Sequence, residues 1–86
     1  EWKRMVLRLY RAADPAAFRE WEPRMLRLTA QVPVLVLWGR HDPYIPLWVA
    51  DRFGAQKVMH FPDAGHWTPA EAPDRVASEI QDFVRP

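Results

Sequence analysis

Two side chains in this 86-residue chain stand where acid–base chemistry can be built: Asp42 and His66. Asp42 lies four residues past an unbroken apolar run, Val34-Leu35-Val36-Leu37-Trp38. His66 lies five residues past a second strand candidate, Lys57-Val58-Met59-His60-Phe61. If the two strands are parallel neighbours, both loops leave the same carboxyl edge, where α/β proteins place their sites. Strands about 4.8 Å apart would start the loops side by side. A carboxylate could then accept a hydrogen bond from one imidazole nitrogen, fix the tautomer and leave the other nitrogen free as a base. Asp42 and His66 are therefore the candidate catalytic residues.

Each has a blander reading. Asp42 before Pro43 is also an ordinary turn residue, and a lone histidine beside a glycine is usually loop surface. Their joint placement at matching strand ends favours function. A metal site from His41, Asp42, His60 and His66 can be drawn, but no pair has helical i,i+4 or HxH spacing, so no metal and no cofactor is expected. His41 reads as a solvent-facing loop residue and His60 as a strand residue of undecided facing. Trp67 could screen the pair from water, and Gly65 leaves space beside the ring. Five tryptophans without a basic strand surface read as core and lid packing rather than a base-stacking platform.

The elements that must position these residues follow from apolar periodicity. Trp2, Met5, Val6, Leu9 and Tyr10 form one stripe of a helix whose other face carries Lys3, Arg4, Arg8 and Arg11. Asp14-Pro15 reads as an N-cap and first helical residue, and Phe18, Trp21, Met25 and Leu28 extend a second helix that Pro23 should kink or break. The run 34–38 is apolar at every position, which fits a strand covered on both faces in a parallel sheet. Pro46 can open a short helix that Gly54 closes before the second strand, 57–61. Thr68 and Glu71 have capping-box spacing, with Pro73 as an alternative start for a final helix striped by Val76, Ile80, Phe83 and Val84. The order is helix–helix–strand–helix–strand–helix. Two parallel strands cannot stand alone as a sheet, so partner strands are implied.

Composition limits what else the chain can be. It is 49% hydrophobic and 27% charged with net charge +1, which excludes a disordered tail and gives no sign of nucleic acid or an anionic membrane as partner. Seven Lys/Arg against four Asp/Glu in residues 1–31 (+3), and five against seven in 32–86 (−2), read as solvated helix faces. There is no cysteine, hence no disulfide and no thiol nucleophile. No apolar run approaches membrane-span length, and no signal-peptide pattern opens the chain. Starting at Glu1 inside an amphipathic pattern, the chain reads as cut from a longer protein, with a cytoplasmic location expected.

Val32 to Asp42 (VPVLVLWGRHD) and Phe61 to Trp67 (FPDAGHW), followed by Glu71-Ala72-Pro73, resemble the end of the α/β-hydrolase superfamily. The likeness covers about residues 31–86 and rests on a strand–GxxD segment, a GHW turn and an E-x-P helix start in that order. It implies a partial doubly wound parallel α/β sheet, its last two strands at 34–38 and 57–61 with flanking helices. Residues 1–30 would be the end of a helical cap and the return to the main domain, and 31–86 the C-terminal βαβα portion. It assigns Asp42 and His66 as the acid and histidine of a triad. Such enzymes carry their nucleophile on an upstream G-x-S-x-G-type turn. This chain has none: its only serine, Ser78, falls in the final helix, and its threonines are Thr29 and Thr68.

The resemblance therefore implies a C-terminal piece of a hydrolase of small apolar substrates, inactive by itself. The bond broken stays open among ester, epoxide, haloalkane and carbon–carbon, through a serine or an aspartate nucleophile. The expected partner is the N-terminal hydrolase portion or, for the chain alone, a second copy. A non-catalytic module that self-associates through its sheet edge is the alternative, and a membrane-surface role for residues 1–11 a minor one.

Overall fold

A computed structural model describes residues 1–86. Helix α1 (Trp2–Ala12) leads to a 3₁₀ turn (Pro15–Phe18) and helix α2 (Trp21–Thr29). Strand β1 (Leu35–Gly39), a 3₁₀ helix (Leu47–Arg52) and strand β2 (Lys57–Phe61) follow. The single-turn helix α3 (Thr68–Glu71) and helix α4 (Pro73–Val84) complete the chain.

The two strands pair in parallel with Leu35 opposite Lys57 and Gly39 opposite Phe61. The sheet has these two strands only. The second strand matches its expected span, and the first begins and ends one residue later than expected. Gln56 ties the approach to the sheet: its Oε1 accepts from the Val34 amide at 2.6 Å. Its amide nitrogen reaches the carbonyls of Thr29 and Val32.

Two local expectations change, and a third is refined. The second helix is divided rather than kinked. Asp14 does act as a cap, its Oδ1 accepting from the Ala16 amide at 3.0 Å, but over a 3₁₀ turn. The α-helix restarts at Trp21, which puts Pro23 in the first turn, where amides have no intrahelical acceptor and proline costs no bond. The short helix expected after β1 is a 3₁₀ helix that starts after Pro46, and Gly54 follows it at φ 66°, a left-handed conformation glycine adopts without strain. The Thr68–Glu71 capping box does not form. Thr68 is the first residue of α3 and its hydroxyl donates to the Gly65 carbonyl at 3.1 Å, while α4 starts at Pro73.

Six residues are buried, among them Val36, Ala50, Phe61, Ala64 and Thr68. They are spread over both strands, the 3₁₀ helix, the loop after β2 and the start of α3. The apolar run of β1 is thus only partly covered within these residues, with Val36 and Gly39 alone buried on it. The stripe of α1 lies in the open: Trp2, Met5, Leu9 and Tyr10 are each more than 60% exposed. No helix is long and apolar enough to cross a membrane.

Candidate active site

The loops after β1 and β2 are zipped together beyond the ends of the strands. The Arg40 amide donates to the Phe61 carbonyl at 2.9 Å, and the His41 amide to the Ala64 carbonyl at 3.0 Å. Gly39 makes this approach feasible. A Cβ at that position would lie 1.9 Å from the Gly65 carbonyl oxygen, inside any contact distance.

Asp42 uses both carboxylate oxygens. Oδ1 accepts from the amides of Tyr44 at 2.8 Å and Ile45 at 3.0 Å, folding the segment after it into an Asx turn. Oδ2 lies 2.9 Å from His66 Nδ1. The turn role and the pair role, alternatives in the sequence, are carried at once by the two oxygens. The Asp42 side chain is 6% exposed and that of His66 31%. Desolvation pushes the Asp42 carboxyl upward, but the His66 hydrogen bond, the Ile45 and Tyr44 amides and the attraction of the charged imidazole outweigh it and hold the carboxyl below its ordinary value.

With Nδ1 donating to Asp42, the neutral ring keeps the Nε2 lone pair, and Nε2 has no hydrogen-bond partner within the chain. Two aromatic rings stand edge-on to the imidazole, Tyr44 at 5.0 Å and Trp67 at 5.1 Å between centroids. Trp67 flanks the ring but is itself 69% exposed. A small cleft of about 160 Å³ beside the pair is lined by Leu37, Trp38, Asp42, Ile45, His66 and Pro69. A larger groove of about 740 Å³ lies elsewhere, between Phe18, Trp21 and Met25 on one side and Trp48 and Phe53 on the other.

The other candidate ligands are not gathered. His60 lies 3.9 Å from Asp51 on a different part of the surface, and His41 is exposed in its loop. No group of three His, Cys, Asp or Glu side chains could hold a metal ion. Ser78 is exposed on α4. Two contributors escaped sequence reasoning. Tyr44, two residues past Asp42, had no signal beyond its place in a stiff, proline-flanked loop. Glu71, paired with Thr68 by its spacing, accepts at Oε2 from the amide of Trp67, the N-cap of α3, and also from that of Gly65, both at 3.1 Å.

No protein-family model matches the chain, and no solved structure does. Curated relatives do. A 2-hydroxy-6-oxononadienedioate/2-hydroxy-6-oxononatrienedioate hydrolase of Paraburkholderia xenovorans (strain LB400) is 36% identical over 77 residues, covering 85% of this chain and 26% of that protein. An enzyme of the same description from Dechloromonas aromatica (strain RCB) is 31% identical over 81 residues, with the same coverages of 85% and 26%. A dihydrolipoyllysine-residue acetyltransferase component of an acetoin cleaving system from Pseudomonas putida is 36% identical over 55 residues, 64% of this chain and 15% of that protein. The chain spans about a quarter of the length of the hydrolases it matches. By these relatives, the chain is similar to the α/β-hydrolases and matches a C-terminal portion of that superfamily.

Proposed function

We propose that this chain supplies the acid and the histidine of an α/β-hydrolase active site whose nucleophile and oxyanion hole come from residues outside these 86. The observation that carries the reading is the 2.9 Å contact between Asp42 Oδ2 and His66 Nδ1, made by loops leaving the same end of two paired parallel strands. Asp42 holds the imidazole in the Nδ1–H tautomer and stabilises the imidazolium. His66 Nε2 takes the proton of a nucleophile or water and returns it to the leaving group. The open face of the ring, between Tyr44 and Trp67, is the side from which reacting groups approach.

Among the ester, epoxide, haloalkane and carbon–carbon alternatives, the relatives favour the last. The compounds in their names carry carboxylates, a hydroxyl and a ketone but no ester, so their hydrolysis cleaves a carbon–carbon bond. A bond next to the ketone is the one that water can split after attack at the carbonyl.

The test is a chimera in which these 86 residues replace the matched segment of the Paraburkholderia hydrolase. It is expected to turn over that enzyme's substrate, with Asp42→Asn and His66→Ala each lowering kcat by roughly 10³–10⁴-fold. An active chimera indifferent to His66→Ala would remove the reading. The 86-residue chain by itself is expected to leave a chromogenic ester intact.

A second reading, self-association of the chain as a non-catalytic module, is favoured by the exposed α1 stripe and the unpaired strand edges. It is compatible with the same Asp42–His66 geometry, and the chimera separates the two.

A further inference from the structure

We propose that Glu71 is a positioning residue for His66, clamping the backbone on both sides of the histidine so that the imidazole stays within reach of Asp42; this deepens the acid–histidine reading and rests on it. One carboxylate oxygen, Oε2, accepts from the amide before the histidine, Gly65, and from the amide after it, Trp67, each at 3.1 Å. Hydrogen bonds to an ionised acceptor are about twice as strong as neutral ones. Pinning both neighbours fixes the Cα of the residue between them.

The clamp is anchored at its far end. Glu71 closes the single turn of α3, where the amides of Ala70 and Glu71 both reach the Trp67 carbonyl, at 2.9 and 3.0 Å. Pro69 stiffens the start of that turn and Pro73 begins the next helix. The near end is anchored too. The Gly65 carbonyl accepts from the buried Thr68 hydroxyl at 3.1 Å and lies against Gly39, where no side chain would fit. Glu71, Gly65 and Gly39 thus form one continuous connection from α3 to the exit of β1, three residues before Asp42. The Trp67 amide is the N-cap amide of α3, which an ordinary helix-capping glutamate would also take. The Gly65 amide lies beyond the helix, and the residue between the two amides is His66.

The experiment is NMR on the 86-residue chain and its Glu71 variants, reading the His66 ring nitrogens where the ring is neutral and the exchange rates of the Gly65 and Trp67 amides. The wild type is expected to hold His66 in the Nδ1–H form, against the Nε2–H preference of free imidazole in water. Glu71→Ala is expected to speed exchange of both amides about tenfold and to return His66 toward the Nε2–H form. Glu71→Gln, which keeps a neutral acceptor of the same length, is expected to retain the Nδ1–H form. Glu71→Asp is one methylene too short to reach both amides and is expected to behave like Glu71→Ala, which keeps the test open if the alanine variant does not fold. Faster exchange with an unchanged tautomer in Glu71→Ala or Glu71→Asp would reduce Glu71 to a loop brace and overturn its positioning role alone. A wild-type chain with His66 in the Nε2–H form would overturn the acid–histidine reading itself, and the role of Glu71 with it.

Discussion

The Asp42 carboxylate is a shared acceptor, and its electrostatics follow from having three donors around two oxygens. Backbone amides and a charged imidazole all favour the ionised form, so the folded carboxyl titrates below its ordinary value of 3.8 although burial opposes this. The unfolded chain therefore binds a proton at a higher pH than the folded chain does. Stability from Asp42 is complete above the ordinary aspartate value and is lost as pH falls through the lowered one. Asp42→Asn, which cannot ionise, is expected to flatten this part of the acid limb. Urea midpoints between about pH 3 and 6 compare the two, and parallel acid limbs would place the titrating group elsewhere. Gly39 is the other decisive residue. Gly39→Ala inserts a methyl where the Gly65 carbonyl already stands, and two backbones must part to admit it. A loss of roughly 3 kcal/mol or more is expected from such overpacking, with the downfield Nδ1 proton signal of His66 lost as the loops separate. An alanine variant as stable as wild type would contradict the close loop approach.

At the level of elements, the pair is held by a short parallel ladder and by what lies beneath its end. Phe61, the last residue of β2, is 1% exposed and is the largest fully buried side chain. The Arg75 guanidinium of α4 sits 4.7 Å from its ring centroid, so strand and helix meet at this residue. Phe61→Ala removes the buried ring at the end of β2 while leaving the backbone bond from Arg40 in place. It is expected to cost roughly 3–5 kcal/mol, visible as lost cooperativity in thermal or urea unfolding. The charged contacts around the sheet carry less. Lys57 and Glu79 meet at 2.9 Å with the lysine 40% exposed, and partly solvated pairs of this kind contribute about 1 kcal/mol or less. Lys57→Met is accordingly expected to shift the unfolding midpoint far less than Phe61→Ala.

The whole molecule exposes more than its mass warrants. Its accessible surface is 7171 Å², whereas a folded monomer of 10.1 kDa exposes roughly 5,300 Å². Its radius of gyration is 15.6 Å against about 12 Å for a compact domain of this length. The difference in area is of the size that permanent interfaces bury, and it is rich in apolar side chains on α1 and in the groove between α2 and the 3₁₀ helix. Each strand also presents one unpaired edge, which invites pairing. Light scattering of the pure chain is expected to give a mass of two copies or more. A monodisperse 10.1 kDa monomer that unfolds cooperatively would show that these residues suffice by themselves.

What the sequence determined by itself was local: where the apolar runs lie, where Gly and Pro punctuate them, and hence which loops carry Asp42 and His66. Those signals lie within a few residues of what they specify, so β2 falls on its expected span and the two loops emerge at one end of a parallel pair. Only the tertiary structure decided how the loops engage. The reason Gly39 must be glycine is a carbonyl 26 residues away, and no neighbour of Gly39 records it. That Glu71 reaches six residues back to the Gly65 amide, as well as to the N-cap amide of its own helix at Trp67, depends on the path of α3 and is not written in the capping-box spacing. The 3₁₀ form of Leu47–Arg52 and the division before Trp21, which leaves Pro23 in the first turn of α2, are likewise settled by packing and by the position of proline relative to a helix start. Periodicity records which face is apolar; the order in which competing hydrogen-bond partners are satisfied is a property of the folded chain.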